Sequence, residues 1–278
     1  MLFVHSDTQA KVVFVESDKP LSNPQVAGQD CPVLKSEVPT RKGISNMSKA
    51  SYQIVKKEDR VFFNDGNQYV LFDSGFIGNP FGKNSASVSG KIGPFEVNTQ
   101  SRNFFETFIN LKMDDGRGVT AVLNPMDGYN CVLRGNTLLV SEEEIDVADC
   151  DYAFPFADPH LPIVDGCING RKVRLFFDSG ARMTMFGDRS LASEKIGSYK
   201  EWMAMKHTFA ELDVCKLSLD FPNGLHYEGK GALVDDPLYI AHGKMMGIDA
   251  MLGIDLFEHY DLTVISKGTQ RGIYLSKR

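Results

Sequence analysis

The chain has 278 residues, of which 42% are hydrophobic and 24% charged, and its formal net charge is −6. This length and composition allow one large hydrophobic core or two small ones, which excludes a largely disordered protein. The negative charge and the lack of any run of five basic residues argue against nucleic-acid binding. No apolar run approaches the roughly 18 residues that a membrane helix needs, so no membrane partner is expected.

The cysteines bear on the cellular compartment. Their number is odd and no CxxC pair occurs, which favours reduced thiols over a disulfide framework. The opening MLFVHSDTQ lacks the basic segment of a signal peptide. These features predict a cytoplasmic protein, or a secreted or periplasmic one if a leader has been removed. No histidine lies in an HExxH pattern or beside a cysteine pair, so we expect no metal. The cysteines are Cys31, Cys131, Cys150, Cys167 and Cys215.

Residues 1–55 have the composition of a loop-rich N-terminal arm. One short strand is predicted for KVVFVES at residues 11–17. Four prolines follow it among Ser, Asn, Gly and Lys, and proline at this density interrupts both ladders and helices. The prolines are Pro20, Pro24, Pro32 and Pro39.

Residues 56–145 alternate short apolar runs with tight-turn signals. RVFFN and NQYVLF flank Asp65-Gly66 and predict a hairpin. FINLKM and RGVTAVL, on either side of DDG, predict a second hairpin. The acidic SEEEIDVADCD that follows predicts a solvated linker, which we place at residues 146–160.

Residues 161–278 repeat this order. Hairpin turns are predicted at Asn169-Gly170 and at Pro222-Asn223-Gly224, and Asp235-Asp236-Pro237 predicts a further turn. Two helices are predicted, in RSLASEKIGSYKEW after Asp188 and in IDLFEHY after Gly253. The whole pattern predicts an all-β protein, mainly strands with a few short helices, built as two similar lobes at residues 56–145 and 161–278.

Each predicted lobe contains a Phe-bearing apolar run that ends in Asp-Ser-Gly. The two copies are YVLFDSGFIGNPFG, with Asp73, and VRLFFDSGARMTMFG, with Asp178. A single copy would indicate only a turn, but two matched copies can bring two carboxyl groups face to face. Such carboxyl groups share one proton. One then acts as a base on water while the other donates to a carbonyl oxygen, which hydrolyses an amide without a covalent intermediate.

Two segments resemble retropepsin-like aspartic proteases. LPIVDGCINGRKVRLFFDSGARMTMF is similar to the opening of a lobe of that family, with its Asn-Gly turn, its DSGA and a hydroxylated residue, Thr184, soon after. DAMLGIDLFEHYDLTVISKGTQRGIYL resembles the end of a lobe, with the hydrophobic-hydrophobic-Gly turn at Met251-Leu252-Gly253. The first lobe departs from the family pattern, because Phe76 replaces Ala or Thr and Asn124 replaces the turn glycine.

The resemblance implies a bilobal acid-protease fold with a pseudo-two-fold axis and a cleft between the lobes. It also implies roles for particular residues. Asp73 and Asp178 would form the catalytic dyad, Ser74 and Ser179 would brace it, and Gly75 and Gly180 would allow close approach. In this family a β-hairpin called the flap closes over the substrate. The flap candidates are SVSGKIGPFEVN, with Gly90 and Gly93, and YKEWMAMKHTF, with Trp202.

The resemblance therefore implies an aspartic endopeptidase that acts on peptide or protein substrates as a monomer, with no metal or organic cofactor. Two alternatives stay open. Phe76 and Asn124 would suit a catalytically inactive module for peptide binding or assembly. Alternatively, two copies would form a homodimer that pairs their second lobes through Asp178. We expect Asp127 and Asp255 to be structural.

Overall fold

The computed structural model describes residues 48–57, 59–75, 88–100, 112–203 and 208–278. All of these residues lie within one compact unit. The strand predicted at residues 11–17 and most of the predicted arm lie outside the described residues. We call residues 56–145 the first half and residues 161–278 the second half.

Strands dominate the described residues, as the sequence predicts. Eighteen strands are described, numbered in chain order. They are β1 (Lys49–Lys57), β2 (Arg60–Asn64), β3 (Tyr69–Phe72), β4 (Val88–Ile92), β5 (Phe95–Gln100), β6 (Val119–Leu123), β7 (Asn130–Arg134), β8 (Thr137–Ser141), β9 (Tyr152–Pro155), β10 (Ile163–Ile168), β11 (Arg171–Phe177), β12 (Thr184–Phe186), β13 (Lys195–Met203), β14 (Thr208–Asp220), β15 (His226–Leu233), β16 (Ala250–Leu252), β17 (Tyr260–Ile265) and β18 (Gly272–Lys277).

These strands form three sheets. A nine-stranded sheet has the order β6-β3-β2-β1-β8-β7-β17-β18-β9, and a seven-stranded sheet has the order β10-β11-β16-β12-β15-β14-β13. Strands β4 and β5 form a separate two-stranded sheet. In the nine-stranded sheet the C-terminal hairpin β17–β18 pairs with β7 of the first half and with β9. The two halves are therefore joined by main-chain hydrogen bonds, and the segment predicted as a linker supplies strand β9.

The predicted hairpin turns form where the turn residues favour them. Asn169 and Gly170 join β10 to β11 with φ values of 48° and 78°, which suit Asn and Gly. At the β2–β3 turn the side chain of Asp65 accepts hydrogen bonds from two backbone N–H groups further along the turn. The hairpin predicted around DDG is described only from Lys112 onward, where Lys112 pairs with Gly118.

One arrangement occurs in both halves. Strand β3 runs parallel to β6, with Phe72 beside Leu123, and β11 runs parallel to β16, with Phe177 beside Leu252. A 3-10 helix follows each time, at Pro125–Asp127 and at Ile254–His259, and then a closing hairpin, β7–β8 or β17–β18. The helix predicted after Gly253 is confirmed as this second 3-10 helix.

The prediction of a helix after Asp188 is wrong. Only a short 3-10 turn forms there, at Arg189–Leu191, and Asp188 caps it by accepting a hydrogen bond from the N–H of Ser190. The rest of the predicted helix is strand β13, which pairs with β14 from Lys195↔Cys215 to Met203↔Thr208. Pairing with this long neighbouring strand outweighs the local helix preference of Glu and Lys.

An α-helix, α1 (Pro237–Met246), forms where the sequence predicted only a turn. Asp236 caps it through the N–H of Leu238, Pro237 is its first residue, and Gly247 ends it with a φ of 66°. These are the usual start and stop signals of a helix. No helix within the described ranges is both long enough and apolar enough to cross a membrane.

The hydrophobic core is continuous between the halves. Phe63 and Phe72 of the first half and Phe177 and Leu252 of the second half are fully buried in one cluster. Burial of each such side chain contributes about 1.5–3 kcal/mol. A second cluster, in the second half, is rich in methionine. Its methionines are Met183, Met185, Met203 and Met251.

Candidate active site

Asp73 and Asp178 occupy equivalent places in the repeated arrangement. Asp73 follows β3 and donates its N–H to the carbonyl of Leu123, and Asp178 follows β11 and donates its N–H to the carbonyl of Leu252. Both distances are 3.0 Å, and both aspartates are buried. Each carboxyl group is thus delivered by the end of a buried strand that a parallel neighbour holds in place.

The serines that follow the two aspartates hold the two turns together. The N–H of Ser74 donates to the hydroxyl of Ser179 at 2.9 Å, and the N–H of Ser179 donates to the hydroxyl of Ser74 at 3.0 Å. Each hydroxyl then donates across to the opposite half, Ser74 to the carbonyl of Phe177 and Ser179 to that of Phe72. Because both serines are fully buried and fully hydrogen-bonded, this network fixes the two turns rigidly.

The two glycines allow the carboxyl groups to meet. The N–H of Gly75 donates to Oδ1 of Asp73 at 2.8 Å, and the N–H of Gly180 donates to Oδ1 of Asp178 at 2.9 Å. A Cβ atom on Gly75 would overlap the carboxyl group of Asp178, and one on Gly180 would lie 2.5 Å from Cγ of Asp73. Each carboxyl group therefore lies against the glycine of the opposite turn, a position that no larger residue permits.

The two carboxyl groups have unequal proton affinities. Burial raises the pKa of Asp73 to about 7, and the negative charge of Asp178 and a hydrogen bond to it act in the same direction. The pKa of Asp178 is lowered: burial acts to raise it, but contacts that favour the charged form outweigh burial, and hydrogen bonds from the Asp73 carboxyl and from the N–H of Gly180 are among them. Adjacent carboxyl groups cannot readily both ionise, so between these two pKa values the pair holds one proton, on Asp73.

A cavity of about 500 Å³ opens at this pair of carboxyl groups. Arg60 and Leu71 line it from the first half, and most of the other described lining residues come from the second half. This volume suits a small ligand or a few side chains of a peptide. The apolar lining residues of the second half are Ala181, Met185, Met203, Ile240, Ile248, Ala250 and Met251.

One wall of the cavity is helix α1, which sequence reasoning missed. The hydroxyl of Tyr239 donates to the carbonyl of Met185 at 3.1 Å, and burial and the charge of Asp178 raise the pKa of this phenol. A Cβ atom on Gly187 would lie 2.6 Å from Cγ1 of Ile240, so the helix packs tightly on the end of β12. The Asp-Pro cap and Gly247 were the sequence signals for this helix.

The hairpin β13–β14 lies along the cavity. Glu201 and Met203 of β13 line it, and residues 204–207 at the tip lie outside the described residues. The flap candidate Trp202 occupies β13, in register with Phe209 of β14. Nothing is described of the Trp202 side chain.

The other flap candidate, β4–β5, lies against the first half. Gly90 is in β4 and Gly93 is in the turn. The N–H of Gly93 donates to Asp65, and a Cβ atom on Gly93 would overlap the hydroxyl of Tyr52. None of the described residues of this hairpin lines the cavity.

A buried ion pair, also missed from the sequence, joins the two halves beside the aspartates. Arg60 of β2 donates through Nε to the carbonyl of Gly180 at 3.0 Å and through a terminal nitrogen to Oε1 of Glu201 at 2.7 Å. The two side chains are 13% and 7% exposed. The hydroxyl of Tyr199 donates to the other oxygen of Glu201 at 3.2 Å. The contact joins residues 141 positions apart, beyond the reach of local sequence patterns.

Asp127 and Asp255 lie outside this cavity lining. Burial raises the pKa of Asp127 to about 6 and that of Asp255 to about 7. Asp255 accepts a hydrogen bond from the hydroxyl of Tyr227 at 3.3 Å. Asn124, where the resemblance leads one to expect glycine, caps the first 3-10 helix by accepting from the N–H of Met126 at 2.8 Å. Phe76 lies outside the described residues.

In the part of the chain that the structure describes, no group of three or more His, Cys, Asp or Glu side chains is placed to hold a metal ion. The four described cysteines are free thiols. A scan against protein-family models gave no match to this chain, and a search of curated proteins gave none either.

Proposed function

We propose that the chain is an aspartic endopeptidase of the retropepsin-like kind, with Asp73 and Asp178 as its catalytic dyad. One observation carries the proposal: two Asp-Ser-Gly turns from different halves of the chain meet through reciprocal serine hydrogen bonds. Their carboxyl groups face one cavity of about 500 Å³. An Asp-Ser-Gly turn that only reverses the chain requires neither these reciprocal hydrogen bonds nor a cavity.

The proposal includes a bilobal architecture in which the two halves are lobes related by a pseudo-two-fold axis. Support comes from the repeated arrangement of hairpin, parallel strand, 3-10 helix and closing hairpin. Equal hydrogen-bond distances from Asp73 to Leu123 and from Asp178 to Leu252 support it further. The substrate cleft is the cavity between the lobes.

In the proposed mechanism the dyad activates a water molecule. Asp178, ionised, takes a proton from the water as its oxygen attacks the peptide carbonyl carbon. Asp73, protonated, donates its proton to the carbonyl oxygen, so a neutral tetrahedral diol forms. Collapse of the diol breaks the C–N bond, with proton transfer from Asp178 to the leaving amine, and a diol hydroxyl returns its proton to Asp73. The unequal pKa values of the two aspartates support these roles.

Catalysis within one chain is favoured over the two alternatives. A homodimer would pair two Asp178 residues, but here Asp73 of the same chain lies against Gly180 and fills that position. The inactive alternative depended on Phe76 and Asn124. Asn124 is accommodated as a helix cap, and both aspartates, both serines and both glycines of the turns are present.

The test is digestion of a mixed peptide pool by the purified chain from pH 3 to pH 8, read by mass spectrometry. We expect cleavage by the wild type and a loss of at least about 100-fold in Asp73→Asn and in Asp178→Asn. Asp127→Asn, which removes a carboxyl group outside the cavity lining, is the matched control and should cleave as the wild type does. Absence of wild-type cleavage across this range, or cleavage that survives in Asp73→Asn, would overturn the proposal.

A further inference from the structure

A single guanidinium group contacts both the Asp178 turn and the β13–β14 hairpin. Arg60 reaches the carbonyl of Gly180 with Nε and the carboxylate of Glu201 with a terminal nitrogen. The guanidinium is planar and permanently charged, so these two contacts fix the two acceptors relative to one another. Arg60 begins β2 of the first half, whereas both acceptors belong to the second half.

The peptide unit between Gly180 and Ala181 connects Arg60 to Asp178. Its carbonyl accepts from Arg60, and its N–H, on Ala181, lies 3.2 Å from Oδ1 of Asp178 and 3.1 Å from the Asp178 carbonyl. A positive charge at the oxygen end of a peptide group polarises it and strengthens donation by its N–H. Arg60 therefore favours a negative charge on Asp178 without touching its carboxylate.

The residue of the second half that corresponds to Arg60 carries no charge and cannot favour a negative charge on Asp73. In the first hairpin Phe62 pairs with Leu71, two residues before Asp73, and in the second Ile163 pairs with Phe176, two residues before Asp178. Arg60, two residues before Phe62, thus corresponds to a residue two before Ile163. That residue is Leu161, an apolar side chain packed against the methionine-rich cluster. The support is therefore one-sided.

We propose that Arg60 is a positioning residue that breaks the symmetry of the dyad, keeping Asp178 as the ionised base and leaving the proton on Asp73. Through its ion pair with Glu201, Arg60 also connects the Asp178 turn to the β13–β14 hairpin, which lines the cavity. The catalytic consequence depends on the proposed function, whereas the effect on Asp178 does not.

Several charged or titratable groups act near this contact, and the test has to separate them. Glu201 and Tyr199 are hydrogen-bonded to one another, and Arg182 acts on Tyr199 electrostatically together with Arg60. Asp73 lies across the dyad, and Tyr239 of helix α1 interacts electrostatically with Asp178. Arg60→Met alone would remove a buried cation from Glu201 as well as the contact with Gly180. The comparison is therefore Glu201→Gln against Arg60→Met/Glu201→Gln, which have the same neutral residue at position 201 and differ in the Arg60 charge and its contact with Gly180.

The first measurement does not need catalysis. The carboxyl carbon of Asp178 is followed by ¹³C NMR against pH in protein labelled at aspartate, with Asp178→Asn to assign its signal. We expect its titration midpoint to lie below the ordinary value in Glu201→Gln and to rise by about one pH unit in Arg60→Met/Glu201→Gln. An unchanged midpoint would overturn the proposal. Arg134→Met, which breaks an exposed ion pair with Asp261, is the control and should shift nothing.

The second measurement is the pH dependence of kcat for peptide cleavage. We expect the acid limb of kcat in Arg60→Met/Glu201→Gln to move to higher pH, in step with the NMR midpoint of Asp178. Arg60→Lys keeps the positive charge, so its acid limb should move to higher pH by less. Glu201→Gln should change KM more than the acid limb, because it loosens only the hairpin. A folded Arg60→Lys variant with the full upward shift would overturn the charge argument. An NMR shift without wild-type cleavage would instead overturn the protease function and leave the role of Arg60 intact.

Discussion

The two Asp-Ser-Gly turns have nearly the same backbone and very different surroundings. Both aspartate N–H groups donate to a leucine carbonyl at 3.0 Å, and the glycine N–H groups reach their carboxylates at 2.8 and 2.9 Å. However, the cavity at the dyad is walled mostly by the second half, with helix α1 on one side and β13 on another. Charged contacts between the halves beside the dyad run from Arg60 to the Asp178 turn and to Glu201 of β13.

The symmetric backbone and the asymmetric surroundings of the two turns have different consequences. The repeat brings two carboxyl groups into contact, which symmetric backbone hydrogen bonds are sufficient to do. A symmetric pair would not define which carboxyl group keeps the shared proton. Arg60, in the role proposed above, would supply that difference, and the second half provides most of the side chains that line the cavity.

The largest effect is expected from substitutions that separate the two carboxyl groups. Gly75→Ala and Gly180→Ala each place a methyl group on the opposite carboxyl group, so the dyad must separate. We expect peptide cleavage to fall by about 100-fold or more in either variant, since catalysis is sensitive to displacements of about 1 Å. Initial rates on one peptide measure the effect.

Gly118→Ala is the matched control, because a Cβ atom there meets nothing within 4 Å. If either glycine variant of the turns kept wild-type rates, the carboxyl groups would not act as a contacting pair.

The next prediction compares Asp127 and Asp255, the carboxyl groups in the 3-10 helices that follow β6 and β16. Burial raises the pKa of Asp255 to about 7 and that of Asp127 to about 6, from 3.8. The folded state holds these protons more tightly than the unfolded chain, so their contribution to stability is complete below about pH 4. It is lost as the pH rises to about 7 for Asp255 and to about 6 for Asp127.

Asp255→Asn should therefore gain stability over the wild type between pH 4 and pH 8, by about 2–3 kcal/mol. Asp127→Asn should gain less, because residue 127 is exposed and solvent screens its charge. Urea unfolding at pH 4, 6 and 8 measures the difference. Wild-type and Asp255→Asn stabilities that change in parallel across this range would show that Asp255 ionises normally.

A smaller effect is expected at Gly253 and Asn124, the turn residues at equivalent places in the two halves. A Cβ atom on Gly253 would overlap the backbone of Met183, which cannot rotate away as a side chain can. Gly253→Asn should therefore destabilise the fold by about 1–3 kcal/mol. Asn124→Gly creates no such overlap, and the loss of its helix cap should cost a few tenths of a kcal/mol. Midpoints of urea unfolding rank the two, and equal costs would mean that the turns are interchangeable.

Much of the fold follows from local sequence signals. Asn169-Gly170 adopts the turn that its positive φ values require, and both Phe-bearing runs form strands that end at an aspartate. The short 3-10 helix after Gly253 was also predictable, because it follows a buried strand directly.

The rest depended on contacts between distant segments. Residues 195–203 contain Lys and Glu, which favour helix, but become a strand because β14 pairs with them along their length. The residues of helix α1 are at most partly buried and form no clear apolar face, so the hydrophobic pattern gave no signal. Only Asp236, Pro237 and Gly247 marked the helix in the sequence. The contact from Arg60 to Glu201 exists only once the halves have come together.

The most direct measurement is kcat/KM for one identified peptide from pH 3 to pH 9 with the wild-type chain. We predict that kcat/KM rises as Asp178 ionises at low pH and falls with a midpoint at about 7, where Asp73 loses the proton that it must donate. A kcat/KM that stayed level or rose between pH 6 and pH 9 would contradict the shared-proton dyad, because catalysis would then proceed with both carboxyl groups ionised.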